Sequence, residues 1–243
     1  MKQLFLLIIM GLGFSTIQAQ NQKNLVFDAN AVVRSVGSFS SIEVSGAIDL
    51  YLSQGNEEAA AVSASSSEAL SRIITEVKNG TLHIYFDGKG WNWKTWNNNK
   101  MKAYITFKDL NKIEASGACN VKSTEAIKVT DLRISLSGAS DFSGELVVSN
   151  LKLDASGASN IKIKGSAEKM QVDASGACNI KAYELNTNYA KIDASGASSV
   201  RLTVNKEMSA EASGGSNIYY RGDGLIRNIS TGGGASVKRK TDD

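Results

Sequence analysis

The residues best suited to chemistry in this sequence are carboxylates that recur at a regular interval. Asp154, Asp173 and Asp193 stand 19 and 20 residues apart. In polysaccharide-cleaving enzymes built from stacked strands, carboxylates on one face hold Ca²⁺ or act as general acid and base. An active site usually interrupts a repeat, whereas these acids belong to one. They also recur with a basic neighbour, since Lys152 and Lys191 stand two residues before Asp154 and Asp193. We therefore expect them to be structural.

Other catalytic arrangements are missing from the sequence. His83 is the only histidine, the two cysteines stand far apart, and no Gly-x-Ser-x-Gly motif is present. Zinc sites need several His or Cys ligands at close spacing, and nucleophilic hydrolases need a base beside the nucleophile. We expect no catalytic residue, no bound metal and no cofactor, and a structural or surface role for His83.

All three tryptophans lie in one short polar stretch, residues 88–100. Gly, Asn and Lys between two strand-like segments are typical of a loop. Exposed aromatic rings beside amides can stack on sugar rings or anchor a protein partner. The alternative is that the loop folds back so that its indoles cover an open end of the fold. The candidate ligand-binding residues are Trp91, Trp93, Trp96 and Asn97.

A Ser-Gly-Ala motif recurs along most of the chain. An early copy stands at residues 45–50, and from Gly117 onward the motif glycines follow one another at steps of 21, 19, 19, 20, 18 and 19 residues. A constant period of this length predicts a stacked array of similar units. Glycine permits the positive φ of a tight corner, and Asn can form Asx turns or a stacked amide ladder. The expected structural residues are Gly117, Gly138, Gly157, Gly176, Gly196 and Gly214, with Asn120, Asn160, Asn179 and Asn217.

Apolar and polar residues alternate around each motif, which is the period of a half-buried strand. Three columns should face inward: the positions three before, one before and five after the motif serine, down to Ile229, Thr231 and Val237 in the last copy. The absence of proline agrees, since every inner strand must donate hydrogen bonds to its neighbours. The sequence therefore predicts an all-β fold, a parallel β-helix (solenoid) with about 19 residues per coil.

The two cysteines occupy the same motif position three coils apart. Coils spaced about 4.8 Å apart would separate Cys119 from Cys178 by roughly 14 Å, which is too far for a disulfide. We expect both thiols to be reduced and buried at the corners.

The N-terminal part departs from the regular repeat. Residues 1–19 have the basic start, apolar run and small-residue cleavage site of a signal peptide, followed by a lead segment at 20–34. Residues 35–111 form an N-terminal β region with the first motif copy and the Trp-rich loop, and residues 112–243 form the regular coils. We expect the first region to cap the stack, whose edge would otherwise be unpaired. The pattern of residues 67–77 fits a short helix or a strand-bearing insertion.

Charge and hydropathy restrict the class of protein. The net charge is +3, and the basic residues are spread along the chain, so nucleic-acid binding is not expected. No apolar stretch after the signal peptide approaches the roughly 20 residues of a membrane-spanning helix. The sequence indicates an exported protein of the periplasm, the outer-membrane surface or the medium.

Repeated Ser-Gly-Ala-Ser-x-Val blocks after a signal peptide, led by the strands of residues 82–86 and 103–116, resemble the putative auto-transporter adhesin, head GIN domain family. The resemblance covers about residues 35–240 and implies a right-handed parallel β-helix and an adhesive role on the surface of Bacteroidetes. The family offers no catalytic residues to transfer to this chain.

Three hypotheses follow. The first is a non-catalytic surface or secreted binding module for a glycan or protein, which uses a lateral face or the Trp-rich loop. The second is a structural protein whose solenoid edge pairs with another subunit, including a second copy of itself. The third is a carbohydrate-active β-helix enzyme that depends on the recurring carboxylates.

Overall fold

The computed structural model of the chain describes residue 28 and residues 30–91 and 100–240. The predicted signal peptide therefore lies outside the described residues. Within them, the strands form one continuous sheet that winds into a solenoid of about 7 turns, accompanied by one short helix. The elements are β1 (Val32–Arg34), β2 (Ser41–Gly46), β3 (Ile48–Gln54), β4 (Ala59–Ala64), α1 (Ser67–Ser71), β5 (Ile73–Lys78), β6 (Thr81–Phe86), β7 (Met101–Phe107), β8 (Lys112–Gly117), β9 (Asn120–Ser123), β10 (Ile127–Leu136), β11 (Asp141–Ala155), β12 (Asn160–Ala174), β13 (Asn179–Ala194), β14 (Ser199–Ala212), β15 (Asn217–Arg221), β16 (Leu225–Thr231) and β17 (Ser236–Arg239).

The regular coils confirm the parallel β-solenoid that the repeat predicts. Strands β11, β12, β13 and β14 pair in parallel, each with the strand one coil further along the chain. Within β11 the ladder skips Ser149, and the exposed Ser149 and Asn150 lie between the buried Val148 and Leu151. Because the alternation changes phase there, the chain bends inside the long strand. The coil that contains β11 therefore turns at its Ser-Gly-Ala corner and again at this bend.

Apolar columns fill the interior, as the alternation predicts. Ile134, Leu153 and Val172 are fully buried and lie beside one another in consecutive coils. Differences in coil length are absorbed by bulges, such as the register shift between Ala182 and Asn186. The inward columns thus stay aligned although the coils differ in length.

The last coil contradicts the inward prediction. Ile229 is 41% exposed, Thr231 is exposed and Val237 is only partly buried. Strands β16 and β17 pair on one side, with β14 and β15 respectively. No further coil among the described residues covers their other side, and this explains why the same motif positions are exposed here.

The N-terminal region stacks its coils out of sequence order. Strands β2 and β3 pair on one side with β8 and β9, which begin the regular coils, and on the other side with β6 and β7. The later coil of residues 81–107 therefore lies outside the earlier coil of residues 41–54. Antiparallel β5 and β4 cover β6 and β7, and β1 covers β4. This region caps the stack, and residues 67–77 supply both the short helix and a strand.

Small buried side chains line the inside of each corner. Cys119, Ser140, Ser159 and Cys178 are at most 1% exposed. Cys178 Sγ lies 3.1 Å from the carbonyl oxygen three residues earlier, and Ser159 Oγ donates to the equivalent carbonyl at 2.8 Å. Both cysteines are free, as the coil spacing predicts. Thiol and hydroxyl groups thus perform the same structural task at equivalent corners of different coils.

Replacing Cys178 with serine is therefore expected to change the free energy of unfolding by less than about 1 kcal/mol, because the hydroxyl can make the same hydrogen bond. Cys178→Leu should cost roughly 2 kcal/mol, because a larger side chain overpacks the corner. Chemical denaturation of the three proteins measures both effects. A loss from serine as large as that from leucine would contradict the equivalence of the two side chains.

Candidate functional site

The Trp-rich stretch of residues 88–100 separates β6 from β7, the two parallel strands of the coil beyond β2 and β3. Strands β6 and β7 pair with β2 and β3, which are themselves joined at the first motif glycine, Gly46. The ends of the two strands, Phe86 and Met101, therefore lie beside the corner that Gly46 makes in the adjacent coil. Of the four candidate residues, Trp91 belongs to the described part, whereas Trp93, Trp96 and Asn97 lie outside it.

Trp91 packs against the cap. Its ring meets the ring of Phe86 edge-on, with centroids 5.3 Å apart, and the Arg72 guanidinium lies 5.1 Å from the indole centroid. Arg72 also donates hydrogen bonds to the carbonyl oxygens of Asp87 and Lys89, at 3.2 and 2.8 Å. These contacts attach the beginning of the loop to the end of the solenoid and leave Trp91 only partly exposed.

The recurring carboxylates line a groove beside the motif corners. The groove has a volume of about 670 Å³, and serines of successive corners form its other wall. His83 also reaches this column, since its Nδ1 lies 3.2 Å from Glu43 Oε2. The acidic residues of the groove are Glu43, Glu114, Asp154, Asp173 and Asp193.

Basic side chains of the neighbouring column neutralise the central carboxylates. Arg133 Nε donates to Asp154 at 2.7 Å, and Lys152 Nζ lies 3.6 Å from Asp154 and 3.2 Å from Asp173. Such pairs offset the like-charge repulsion between carboxylates stacked on adjacent strands. In the described part of the chain, no group of three or more His, Cys, Asp or Glu residues is arranged to hold a metal ion.

A second groove, of about 760 Å³, follows the bend inside the long strands. Tyr189 is 38% exposed in this groove, and the Lys206 ammonium lies 5.3 Å from its ring centroid. Asn150 donates to Asp131 at 2.7 Å on the same wall. An exposed ring beside amide and charged groups offers both stacking and hydrogen bonds to a polar ligand.

A column of basic residues on the face after the corner is absent from the sequence-based candidates. It occupies the fifth position after each motif glycine, and the parallel register sets its members side by side in successive coils. Aligning the repeats on their glycines would have found it, whereas the spacing of about 19 residues makes the charges look dispersed. We call this set the basic column: Lys122, Ser143, Lys162, Lys181, Arg201, Tyr219 and Lys238.

The predicted structural asparagines lie one column away from these bases. Asn160 donates to Asp141 at 2.7 Å, and Asn179 accepts from Arg201 at the same distance. Asn217 donates to the carbonyl oxygen of Gly215 at 3.2 Å, and Asn120 is exposed. Asn160, Asn179 and Asn217 thus bond to other residue types in this structure.

A hydrogen-bonded carboxylate fastens the lead segment to the cap. Asp28 accepts from Ser63 Oγ at 2.6 Å and from Tyr104 Oη at 2.8 Å, and Lys102 Nζ lies 3.6 Å away. These two hydrogen bonds, with the charge of Lys102, lower the pKa of Asp28 to about 2 against the opposing effect of burial. The carboxylate therefore stabilises the cap when it is ionised.

The low pKa of Asp28 predicts a stability difference that depends on pH. Asp28→Asn should destabilise the cap by at most about 2 kcal/mol at pH 7, since one pKa unit corresponds to roughly 1.4 kcal/mol. The stabilisation is complete above the unfolded-state pKa near 3.9 and falls as pH drops toward about 2, so the two proteins should converge there. Hydrogen exchange of β4 and β7 across this range measures it. A difference independent of pH would contradict the ionic contribution.

None of the helices among the described residues is long and apolar enough to cross a membrane. The family model described as putative auto-transporter adhesin, head GIN domain, matches residues 38–224. No curated protein is significantly similar in sequence to this chain.

Several solved structures are similar in shape to this chain. A putative adhesin from Bacteroides fragilis has a TM-score of 0.78 at 22% identity, over 88% of this chain and 98% of that one. A putative adhesin from Parabacteroides distasonis has a TM-score of 0.68 at 20% identity, over 86% and 96%. A putative lipid binding protein from the same species has a TM-score of 0.65 at 20% identity, over 88% and 98%. At these identities the likeness establishes the fold alone.

Proposed function

This chain belongs to the putative auto-transporter adhesin, head GIN domain family, and on that premise we propose that it is an exported, non-catalytic binding module that acts as an adhesin head. The feature that carries the proposal is the Trp-rich stretch of residues 88–100, which interrupts the repeat between β6 and β7. Function in a repeat protein is expected where the repeat is interrupted, because the regular positions are occupied by the requirements of stacking.

The loop supplies the residue types that recognition needs. Trp91 anchors its beginning through Phe86 and Arg72, and a fixed base reduces the entropy lost on binding. Trp93, Trp96 and Asn97 then provide the rings and the amide for a glycan or a protein partner. In our proposal these three residues contact the ligand, and Trp91 positions them.

Binding of the mature chain to a glycan array, before and after loop substitutions, tests this function. Trp93→Ala with Trp96→Ala should weaken the strongest interactions at least about tenfold, since buried aromatic anchors dominate binding energy. The melting temperature should stay unchanged in this variant, whereas Trp91→Ala should lower it because its ring packs on the cap. Undiminished binding by the double variant would place the ligand elsewhere.

A specific observation favours assembly as a second candidate function. In the described part, the outer edges of β16 and β17 pair with no strand, and Leu225 and Ile229 there are 56% and 41% exposed. An open edge with apolar side chains is a template for another strand, and we propose a second copy of this chain as the occupant. Light scattering should then give a mass that rises with concentration and falls to the monomer in Ile229→Lys. A constant monomer mass would exclude this assembly.

Carbohydrate cleavage is the least supported alternative. Asp154 and Asp173, the carboxylates best placed for it, are held by Arg133 and Lys152. Turnover of polysaccharides by the mature chain, measured as release of reducing ends, should be undetectable. Turnover that disappears in Asp173→Asn would overturn the non-enzymatic proposal.

A further inference from the structure

The basic column carries charge that the protein itself does not neutralise. Lys162, Lys181 and Arg201 lie side by side at the strand spacing of about 4.8 Å. Like charges directly opposite one another on neighbouring strands are destabilising. A column of this kind is therefore costly unless something outside the chain compensates it.

The acidic groove shows how the same chain treats stacked charges elsewhere. There, Arg133 and Lys152 reach Asp154 and Asp173 within 3.6 Å. In the described part, by contrast, no ion pair within 4.0 Å involves the four lysines of the basic column, and its arginine bonds to a neutral amide. Among the described residues of this face, Lys164 pairs with Glu145, whereas Glu125 and Glu184, which line the same groove as Lys162, form no ion pair with the column.

Aromatic rings accompany the charges at the C-terminal end of the face. Tyr219, a member of the column, has the Arg201 guanidinium 5.7 Å and the Lys240 ammonium 5.4 Å from its ring centroid. The neighbouring Tyr183 has the Arg221 guanidinium 4.4 Å from its centroid. The face therefore combines a line of cations with flat rings, along a straight axis fixed by the sheet.

We propose that the basic column is a binding site for a linear anionic polysaccharide, laid along the solenoid axis with its carboxylate or sulfate groups against successive lysines. The spacing of about 4.8 Å per coil is comparable to the length of one sugar ring, so negative groups can meet several coils in register. Tyr183 and Tyr219, which are partly exposed beside the cations that contact their rings, add apolar surface to the site. This proposal rests on the binding role proposed above and assigns it a ligand class and a second surface.

Two other negatively charged partners, an anionic membrane and a single-stranded nucleic acid, fit this face less well. A membrane-binding surface carries protruding apolar side chains that enter the lipid, and none of the large exposed hydrophobic residues in the described part belongs to the basic column. Single-stranded nucleic acids are bound through rings on which successive bases stack, whereas most coils of this column contribute a cation. The polysaccharide is thus the partner that both the charges and the rings fit.

Surface binding to immobilised heparin and polygalacturonate, with neutral dextran as the uncharged probe, tests the site. Lys162→Gln, Lys181→Gln and Arg201→Gln combined should weaken binding to at least one anionic polymer about tenfold, as expected for three exposed charge contacts. The matched control, Lys78→Gln with Lys108→Gln and Lys128→Gln, removes the same charge away from the column and should bind as the unaltered chain does. Equal losses in the two variants, or tight binding to dextran, would overturn the proposal.

Stability provides an independent readout. Removing three stacked like charges should leave the melting temperature of the column variant unchanged or raise it, so lost binding cannot be attributed to unfolding. Anionic vesicles or single-stranded DNA bound more tightly than either polysaccharide, through the same residues, would overturn the assignment to a glycan. Trp93→Ala with Trp96→Ala should keep heparin binding. If this variant keeps heparin binding but has lost binding to the glycan array, the two surfaces act separately. Loss of heparin binding in this variant would overturn the column as the site.

Discussion

Gly176→Ala is expected to destabilise the protein by about 3 kcal/mol, a large effect for the addition of one methyl group. Gly176 has a φ of +85°, and an added Cβ would stand 2.5 Å from the carbonyl oxygen of Gly157 in the preceding coil. That oxygen accepts the hydrogen bond from Ala177 at 2.7 Å, so it cannot move away without opening the ladder at the corner. Positive φ strain and a backbone clash therefore act together.

Gly80→Ala separates the two contributions. Gly80 has a φ of +74°, yet an added Cβ meets no atom within 4 Å. This control should lose only the cost of a positive φ, roughly 1 kcal/mol. Urea denaturation of both variants gives the difference in their free energy of unfolding, and this difference measures the cost of the clash between stacked corners. Equal losses at the two glycines would show that conformation alone, and not stacking, selects glycine in the motif.

Leu153→Asp is expected to abolish folding of the regular coils or to cost at least about 4 kcal/mol, because it places an unpaired charge in the interior. Leu153 is fully buried between Ile134 and Val172 of the adjacent coils. Val147→Asp is the matched control, since Val147 lies on the same strand, faces outward and is 41% exposed. Its stability should change by less than about 1 kcal/mol. Circular dichroism and thermal melting distinguish the two, and similar behaviour would contradict the assignment of faces.

The sequence predicts the regular coils because each of their positions has the same neighbours in every copy. Alternation alone identifies Leu153 as an inward residue, and the parallel register then repeats that environment. The same reasoning fails at Ile229, since motif position says nothing about whether a further coil is present to cover it. The lysines of the basic column are plain in the sequence, but they stand about 19 residues apart. Only when the copies are aligned on their glycines does it follow that Lys162 and Lys181 are neighbours.

The stacking order of the N-terminal coils could not be predicted. Both β2–β3 and β6–β7 have the sequence pattern of half-buried strands. From that pattern alone, either pair could form the outer coil of the stack. Pairing between distant strands decides the order, and no local pattern encodes it. The composition of residues 88–100 predicts a loop, but only the pairing of β6 with β2 and of β7 with β3 shows that its flanking strands end beside Gly46.

The out-of-order cap has a consequence for how the molecule is made. The coil of residues 41–54 has a neighbour on both sides only when β9 is present, because β6 and β7 cover one side and β8 and β9 the other. Each regular coil, by contrast, contacts only the coils before and after it in the chain. Duplication of one repeat would therefore lengthen the rod by about 4.8 Å and leave its foundation untouched. The length of the solenoid can thus change during evolution by whole coils.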